Sequence, residues 1–188
     1  MKVLGIDTKS TGMHWVSTFG IGRTSDAGEK YGWVDCMQKN VDERRIQITQ
    51  YAHQLFVAIE DDRPASPDPI HVFCEEPLAL QNGKTTRLLG LAAGAIYGAF
   101  VLSELDATWH WVDQSTWKKS VLGRGIKPKG YEGTGPKAGW EKEWIREVIV
   151  ELPGFMAEDS AVLRQDFDSQ RDLYDAWAIK TYGVRALA

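Results

Sequence analysis

The run Val72-Phe-Cys-Glu-Glu-Pro-Leu-Ala79 constrains the fold of this chain more than any other segment. An apolar stretch of this length, ended abruptly by two carboxylates, reads as a short strand covered on both faces. Pro77 stops the pairing because it has no N–H to donate. A strand covered on both faces belongs to the middle of an α/β sheet, and such sheets hold their ligands beyond the carboxyl ends of the strands. Glu75 or Glu76 therefore stands where a ligand is expected.

The segments on either side supply the rest of such a sheet. Lys2–Asp7 is a short apolar strand, Thr8–Gly12 a polar turn, and Met13–Phe19 the return strand of a hairpin. Tyr31–Asp35 is a third strand of the same meander. Over Asp42–Ile59 the apolar residues Ile48, Tyr51, Ala52, Leu55, Phe56 and Ile59 recur at helical spacing. A proline-rich loop then leads into the strand Ile70–Glu75, and strand, helix, strand implies a right-handed crossover to a parallel neighbour. Thr85–Glu104 is a second helix, with Gly90, Gly94 and Gly98 on a face suited to lie close against another helix. Thr108–Val112 is a strand, and Asp113 or Ser115 caps a short helix through Val121. Gly123–Gly139 has the composition of a mobile loop. Trp140–Leu152 is a helix, Met156–Asp168 an acidic connection, and Arg171–Val184 the last helix. This is the element order of an RNase H-like α/β domain. A single domain over residues 1–188 is expected, with a mixed five-stranded sheet flanked by helices.

Composition agrees with one ordinary globular domain: 188 residues, 43% hydrophobic and 26% charged. The opening residues lack a charged leader followed by an apolar stretch, so no signal peptide is expected. Leu88–Leu105 is broken by Gly/Ala pairs and a glutamate, and is read as a buried helix rather than a membrane span. Cys36 and Cys74 form neither a disulfide framework nor a zinc pattern, which suits a reduced, cytoplasmic protein. The net charge of −4 is unevenly spread: Lys118, Lys119, Arg124, Lys127 and Lys129 lie in a stretch without an acid. Such a stretch suits phosphate contact, and Tyr131 and Trp140 nearby suit stacking on unpaired bases.

Three acidic sites close regular elements: Asp7, Glu75/Glu76 and the pair Asp172/Asp175, which shares one helix face. Brought together, like charges repel and raise one another's pKa, a conflict that a hard divalent cation relieves. Oxygen ligands without Cys or His indicate Mg²⁺ or Mn²⁺. Two such ions about 4 Å apart clamp an in-line phosphoryl displacement, with Asp7 bridging them. His14, His53, His71 and His110 fall in strand or helix patterns and are read as structural.

The segments Leu4-Gly-Ile-Asp7, Cys74-Glu75 with Leu88-Leu-Gly-Leu-Ala-Ala-Gly94, and Asp172-Leu-Tyr-Asp-Ala-Trp-Ala-Ile179 resemble the RuvC Holliday-junction resolvases. So does Ser115-Thr-Trp-Lys-Lys-Ser-Val-Leu-Gly-Arg-Gly125, and the four occur in the family's order over nearly the whole chain. The resemblance implies a Mg²⁺-dependent homodimer that nicks two strands of a four-way DNA junction symmetrically, as suits a two-fold substrate. It makes Asp7, Glu75, Asp172 and Asp175 the metal-binding carboxylates, with Glu75 preferred to Glu76 by its spacing to the Gly90–Gly94 helix. Lys118 and Lys129 take phosphate-contact roles, with Lys119 and Arg124 beside them, and Leu78 falls near the unstacked centre of the junction. The chain departs from the family in its first turn, which lacks Pro-Gly, and in longer segments at Lys127–Lys142 and Phe155–Arg171. Asp166 and Asp168 in the latter compete for the fourth-ligand role. Compact, divergent relatives of this kind are associated with bacteriophages.

Other classes fit less well. A broader flap or fork nuclease needs the same residues. A sugar-kinase or actin-like ATPase needs two such domains, for which 188 residues are too few. A DNA-binding module without catalysis gives no reason to gather acids near DNA.

Overall fold

The computed structural model describes residues 1–20, 22–24, 29–62, 68–77, 83–134, 136–155 and 161–188; the side chains of 138 and 161–163 lie outside the description. Six strands form one mixed sheet: β1 (Lys2–Lys9), β2 (Gly12–Ser17), β3 (Arg23–Thr24), β4 (Lys30–Asp35), β5 (Ile70–Glu75) and β6 (Ala107–Val112). Their spatial order is β3-β4-β2-β1-β5-β6. The meander β1-β2-β4 is antiparallel, while β5 and β6 join β1 in parallel. The expected five strands are present, and the sixth is the two-residue β3, too short to leave a periodic signal.

Helices cover both faces: α1 (Val41–Asp61), α2 (Gly83–Leu102), α3 (Gln114–Leu122), α4 (Trp140–Val150), α5 (Ala161–Ser169) and α6 (Asp172–Leu187). Strand alternation decides which residue meets which layer. Leu4, Ile6, Val72 and Cys74 turn to α1 and α2, packing with Phe56, Ile59 and Ile96. Val3 and Phe73 turn the other way, into a core with Trp117, Ile145, Tyr174 and Ile179 from α3, α4 and α6. Asp7 and Glu75 have the same parity as Val3 and Phe73, so both face the α6 layer.

Local chemistry sets the helix ends. Asn40 caps α1, its side chain accepting from the N–H groups of Asp42 and Glu43. Asp113, rather than Ser115, caps α3 by accepting from Ser115 and Thr116, and Gly123 ends that helix at φ +78°. Within the acidic connection Met156–Asp168, residues from 161 on fold as α5, where Phe167 is buried against Tyr31, Phe155 and Tyr174. The glycine face of α2 does not meet another helix. Among the described residues nothing lies within 4 Å of a Cβ built at Gly90, Gly94 or Gly98. The helix buries Ala92, Ala95, Ile96 and Ala99 and leaves its other side open.

α6 crosses β1 at backbone contact. A Cβ on Gly5 would stand 2.3 Å from the Lys180 nitrogen and 2.5 Å from the Ala176 oxygen. Gly5→Ala therefore costs at least the ~1–3 kcal/mol typical of overpacking, because backbone, not a flexible side-chain end, must give way. Chemical denaturation measures this as a lower midpoint with an unchanged slope.

Candidate active site

Two parallel strands and one helix end converge. β1 and β5 are hydrogen-bonded neighbours with Ile6 opposite Cys74, so Asp7 and Glu75 occupy the next rung side by side. α6 begins at Asp172 and carries Asp175 one turn on, over the same strand ends. Asp7 and Asp175 are buried, while Glu75 and Asp172 are half-buried. Parity also separates the two candidate glutamates. Glu75 faces the cluster, whereas Glu76 is exposed and spends its N–H on the carbonyl of Val112.

Charge in this cluster is balanced by a residue that sequence reasoning missed. Lys142, from the first turn of α4, places its Nζ 2.6 Å from Asp172 Oδ1 and hydrogen-bonded to Asp175 Oδ2. Burial works against a charge there, but Asp175, Asp7 and Glu75 outweigh it and hold the ammonium above its ordinary pKa. Lys9 takes the other oxygen of Asp172 at 2.7 Å. A lone lysine in an amphipathic helix carries no signal of this role.

The carboxylates are nonetheless short of cations. Burial raises the pKa of Asp7 against the pull of Lys142 and Lys9, and raises that of Asp175, whose Oδ1 is buried without a hydrogen-bond partner among the described residues. Burial, then Asp7 and Asp175, pushes Glu75 up to about 8. Glu75 is held in place by two donors: Gln114 Nε2 to Oε1 at 3.2 Å and Trp117 Nε1 to Oε2 at 2.8 Å. Both come from α3, whose capping by Asp113 sets their position at the end of β6. A cleft of about 240 Å³ opens over Glu75, lined by Thr8, Glu76, Pro77, Leu89, Gln114 and Glu141.

The remaining acids of the last connection are engaged elsewhere. Asp166 pairs with Arg23 and the Tyr31 hydroxyl, and Asp168 with Arg146 and the Tyr174 hydroxyl. The basic stretch divides. Lys118 is buried, with Nζ 2.5 Å from Glu141 Oε1, whereas Lys119, Arg124 and Lys129 are exposed. Lys127 is half-buried, its Nζ 5.5 Å from the Tyr131 ring and 5.8 Å from that of Trp140. The segment expected to be a mobile loop is tied to α4 by Thr134, which donates to Glu143 through its N–H and hydroxyl. Leu78 lies outside the described residues. His14 stands opposite Asp7 in the β1–β2 register, and a ring nitrogen of His14, one oxygen of Asp7 and one of Asp172 all lie within 4.8 Å of one another.

A mixed sheet of this order, with acids at the ends of β1, β5 and the start of α6, is the RuvC/RNase H-like fold. No protein-family model and no curated relative matches the sequence. Solved structures do. The chain is similar to Thermus thermophilus RuvC at TM-score 0.57 and 18% identity, over 99% of this chain and 96% of that one. It is also similar to T. thermophilus RuvC in complex with a Holliday junction substrate, at TM-score 0.54 and 17% identity, over 97% and 92%. At such identity the likeness shows the fold.

The raised pKa of Glu75 sets a pH dependence. Its proton is held to about pH 8 in the folded protein, against an ordinary value of 4.5. Between these limits the folded state binds more protons than the unfolded one, so stability falls as pH rises. In EDTA the melting temperature drops from about pH 5 to about pH 8. Glu75→Gln makes that drop shallower and melts above wild type at the upper end. Parallel curves for the two proteins would remove Glu75 from the charge conflict.

Proposed function

We propose that the chain is a divalent-metal-dependent endonuclease that resolves four-way DNA junctions. The observation that carries this reading is the gathering of Asp7, Glu75, Asp172 and Asp175 around one ammonium group at the strand ends, with Glu75 opening on the cleft. Lys142 stands in for a cation there, and the unpartnered Asp175 oxygen faces the same need. The donors are mostly carboxylate oxygens, which fit Mg²⁺ or Mn²⁺. Asp7, Glu75, Asp172 and Asp175 are the residues that would hold the metal. When bound, the metal supplies Lewis-acid stabilisation of an in-line phosphoryl displacement. The protein's own part is to hold Glu75 by Gln114 and Trp117, to keep Asp7 out of bulk water, and to offer Lys142 to a phosphate once a cation takes its place among the acids.

Branched DNA, rather than linear duplex, is the substrate we propose. Lys119, Arg124 and Lys129 are exposed and would meet phosphates, and each such contact adds to the salt dependence of binding. The resolved relative binds a Holliday junction on the same fold. We place the activity in the cytoplasm, a reading supported by two free, buried thiols. The first turn without Pro-Gly and the long segments on either side of α4 support a divergent, phage-type member of this fold.

Asp7→Asn is expected to abolish cleavage of a labelled four-way junction in Mg²⁺ and to leave junction binding intact or tighter, since it removes both a ligand and a negative charge near phosphate. Wild-type cutting by this variant would end the proposal. Comparable cutting of flaps and forks by the wild-type protein would assign the broader branched-DNA nuclease instead.

A second copy of the chain is the occupant we assign to the open side of α2. That side shows Tyr97 (41% exposed), Val101 (57%) and Leu102 (68%) beside Gly90 and Gly94, with Trp111 (42%) next to them on β6. The glycines leave room for a helix to approach, and a C₂ pair presents two clefts to a substrate of two-fold symmetry. Sedimentation is expected to find a dimer that Gly94→Glu converts to a monomer with an unchanged circular dichroism spectrum. A monomeric wild type would remove this face from the assembly.

A further inference from the structure

His14 is the one side chain in the cluster that is not an oxygen donor or a cation. It is completely buried (0% exposed) and has a cross-strand position opposite Asp7, on the α6 side of the sheet. Nothing about filling a core requires a histidine there. Its Nε2 lies 3.2 Å from Gln170 Oε1. Since an amide oxygen only accepts, this contact puts the ring proton on Nε2 and the lone pair on Nδ1. Among the described residues, Nδ1 is buried with no hydrogen-bond partner.

The spacing suits a shared ion. One donor atom each from Asp7, His14 and Asp172 fall within 4.8 Å of one another. Ligands bonded at about 2.0–2.2 Å to one ion lie up to roughly 4.2 Å apart, so small side-chain movements close the gap. Lys9 and Lys142 now contact the two Asp172 oxygens, and an arriving cation competes with them.

We propose that His14 is a metal ligand, completing with Asp7 and Asp172 a nitrogen-containing position distinct from the all-oxygen position at Glu75 and Asp175. This rests on the metal-dependent reading of the carboxylate cluster. An imidazole donor favours Mn²⁺ and later first-row ions over Mg²⁺ at that position, whereas the oxygen-only position accepts Mg²⁺. The Gln170 contact is the outer partner that fixes tautomer and ring orientation, as is usual for a ligating histidine.

Pulsed electron paramagnetic resonance of Mn²⁺ bound to the EDTA-stripped full chain, without DNA, reads this directly. Wild-type protein is expected to show ¹⁴N modulation on the bound Mn²⁺, replaced by ¹⁵N coupling when the protein carries ¹⁵N-histidine. His14→Asn loses the coupling while His53, His71 and His110 remain. Asp7→Asn loses it too, which ties the signal to this cluster. Should His14→Asn fail to fold, the labelled wild-type spectrum together with Asp7→Asn still decides. Mn²⁺ that binds in an Asp7-dependent manner without histidine coupling overturns the role of His14 and leaves the nuclease reading standing. Coupling that persists in His14→Asn overturns it as well. Absence of any Asp7-dependent Mn²⁺ binding overturns both.

Discussion

The architecture depends on how closely α6 lies across β1. Gly5 has no side chain, and the Ala176 carbonyl and Lys180 amide occupy the space one would need. Gly183 repeats the arrangement a turn and more further along, where an added Cβ would meet Phe73 and Val3. Two contacts fix both the height and the direction of the helix. Its first turn then has one place to go, over the carboxyl ends of β1 and β5. The acids at Asp172 and Asp175 are delivered to Asp7 and Glu75 by packing alone, before any favourable interaction among them. A helix held off the sheet by one methyl layer would separate the helix acids from the strand acids and leave no common site.

That packing creates an electrostatic problem, and the surroundings show how it is contained. Burial raises the pKa values of Asp7, Glu75 and Asp175, and neighbouring carboxylates add to the rise at Glu75 and Asp175. Lys142 and Lys9 offset part of the repulsion, and the indole of Trp117 with the amide of Gln114 fixes the one glutamate that has no lysine on it. The compensation is incomplete, since Asp175 Oδ1 has no hydrogen-bond partner among the described residues. Buried like charges cost stability that an ordinary core would not incur, and retaining them makes sense where a bound cation repays the cost. That balance is what the proposed metal-dependent reading asks of the site.

Much of this was legible in the sequence because it rests on local rules. The apolar run ending at Glu75 and Pro77 located the central strand, and the three-residue spacing of Asp172 and Asp175 put both on one helix face. Strand alternation could also have chosen Glu75 over Glu76, since Phe73 and Glu75 share a face and Glu76 leaves the strand. Long-range pairing is where the reading ran out. Lys142 and Lys118 are each one lysine among many. Only the three-dimensional arrangement tells that the first reaches the acids and that the second is buried against Glu141. The acidic connection hid α5 because its helical pattern rests on few apolar residues, chiefly Phe167. The glycine spacing of α2 pointed to a face lying close against another helix, and among the described residues no helix meets it, because spacing cannot tell which surface such a face will meet.

His14 illustrates the same boundary from the other side. Within its strand it sits between Met13 and Trp15, and a histidine in that context looks like one more residue of a half-buried strand. What distinguishes it is a cross-strand partner 7 positions away, Asp7, and a helix acid reached only through the fold. Ligand sets assembled from adjacent strands leave no spacing motif, unlike the i, i+3 pair on α6, because register rather than sequence separation brings them together. A site built half from a helix turn and half from strand register is thus half visible in the sequence. On the proposed reading the invisible half supplies the nitrogen donor, His14, and that donor chemistry would bias which ions are preferred there.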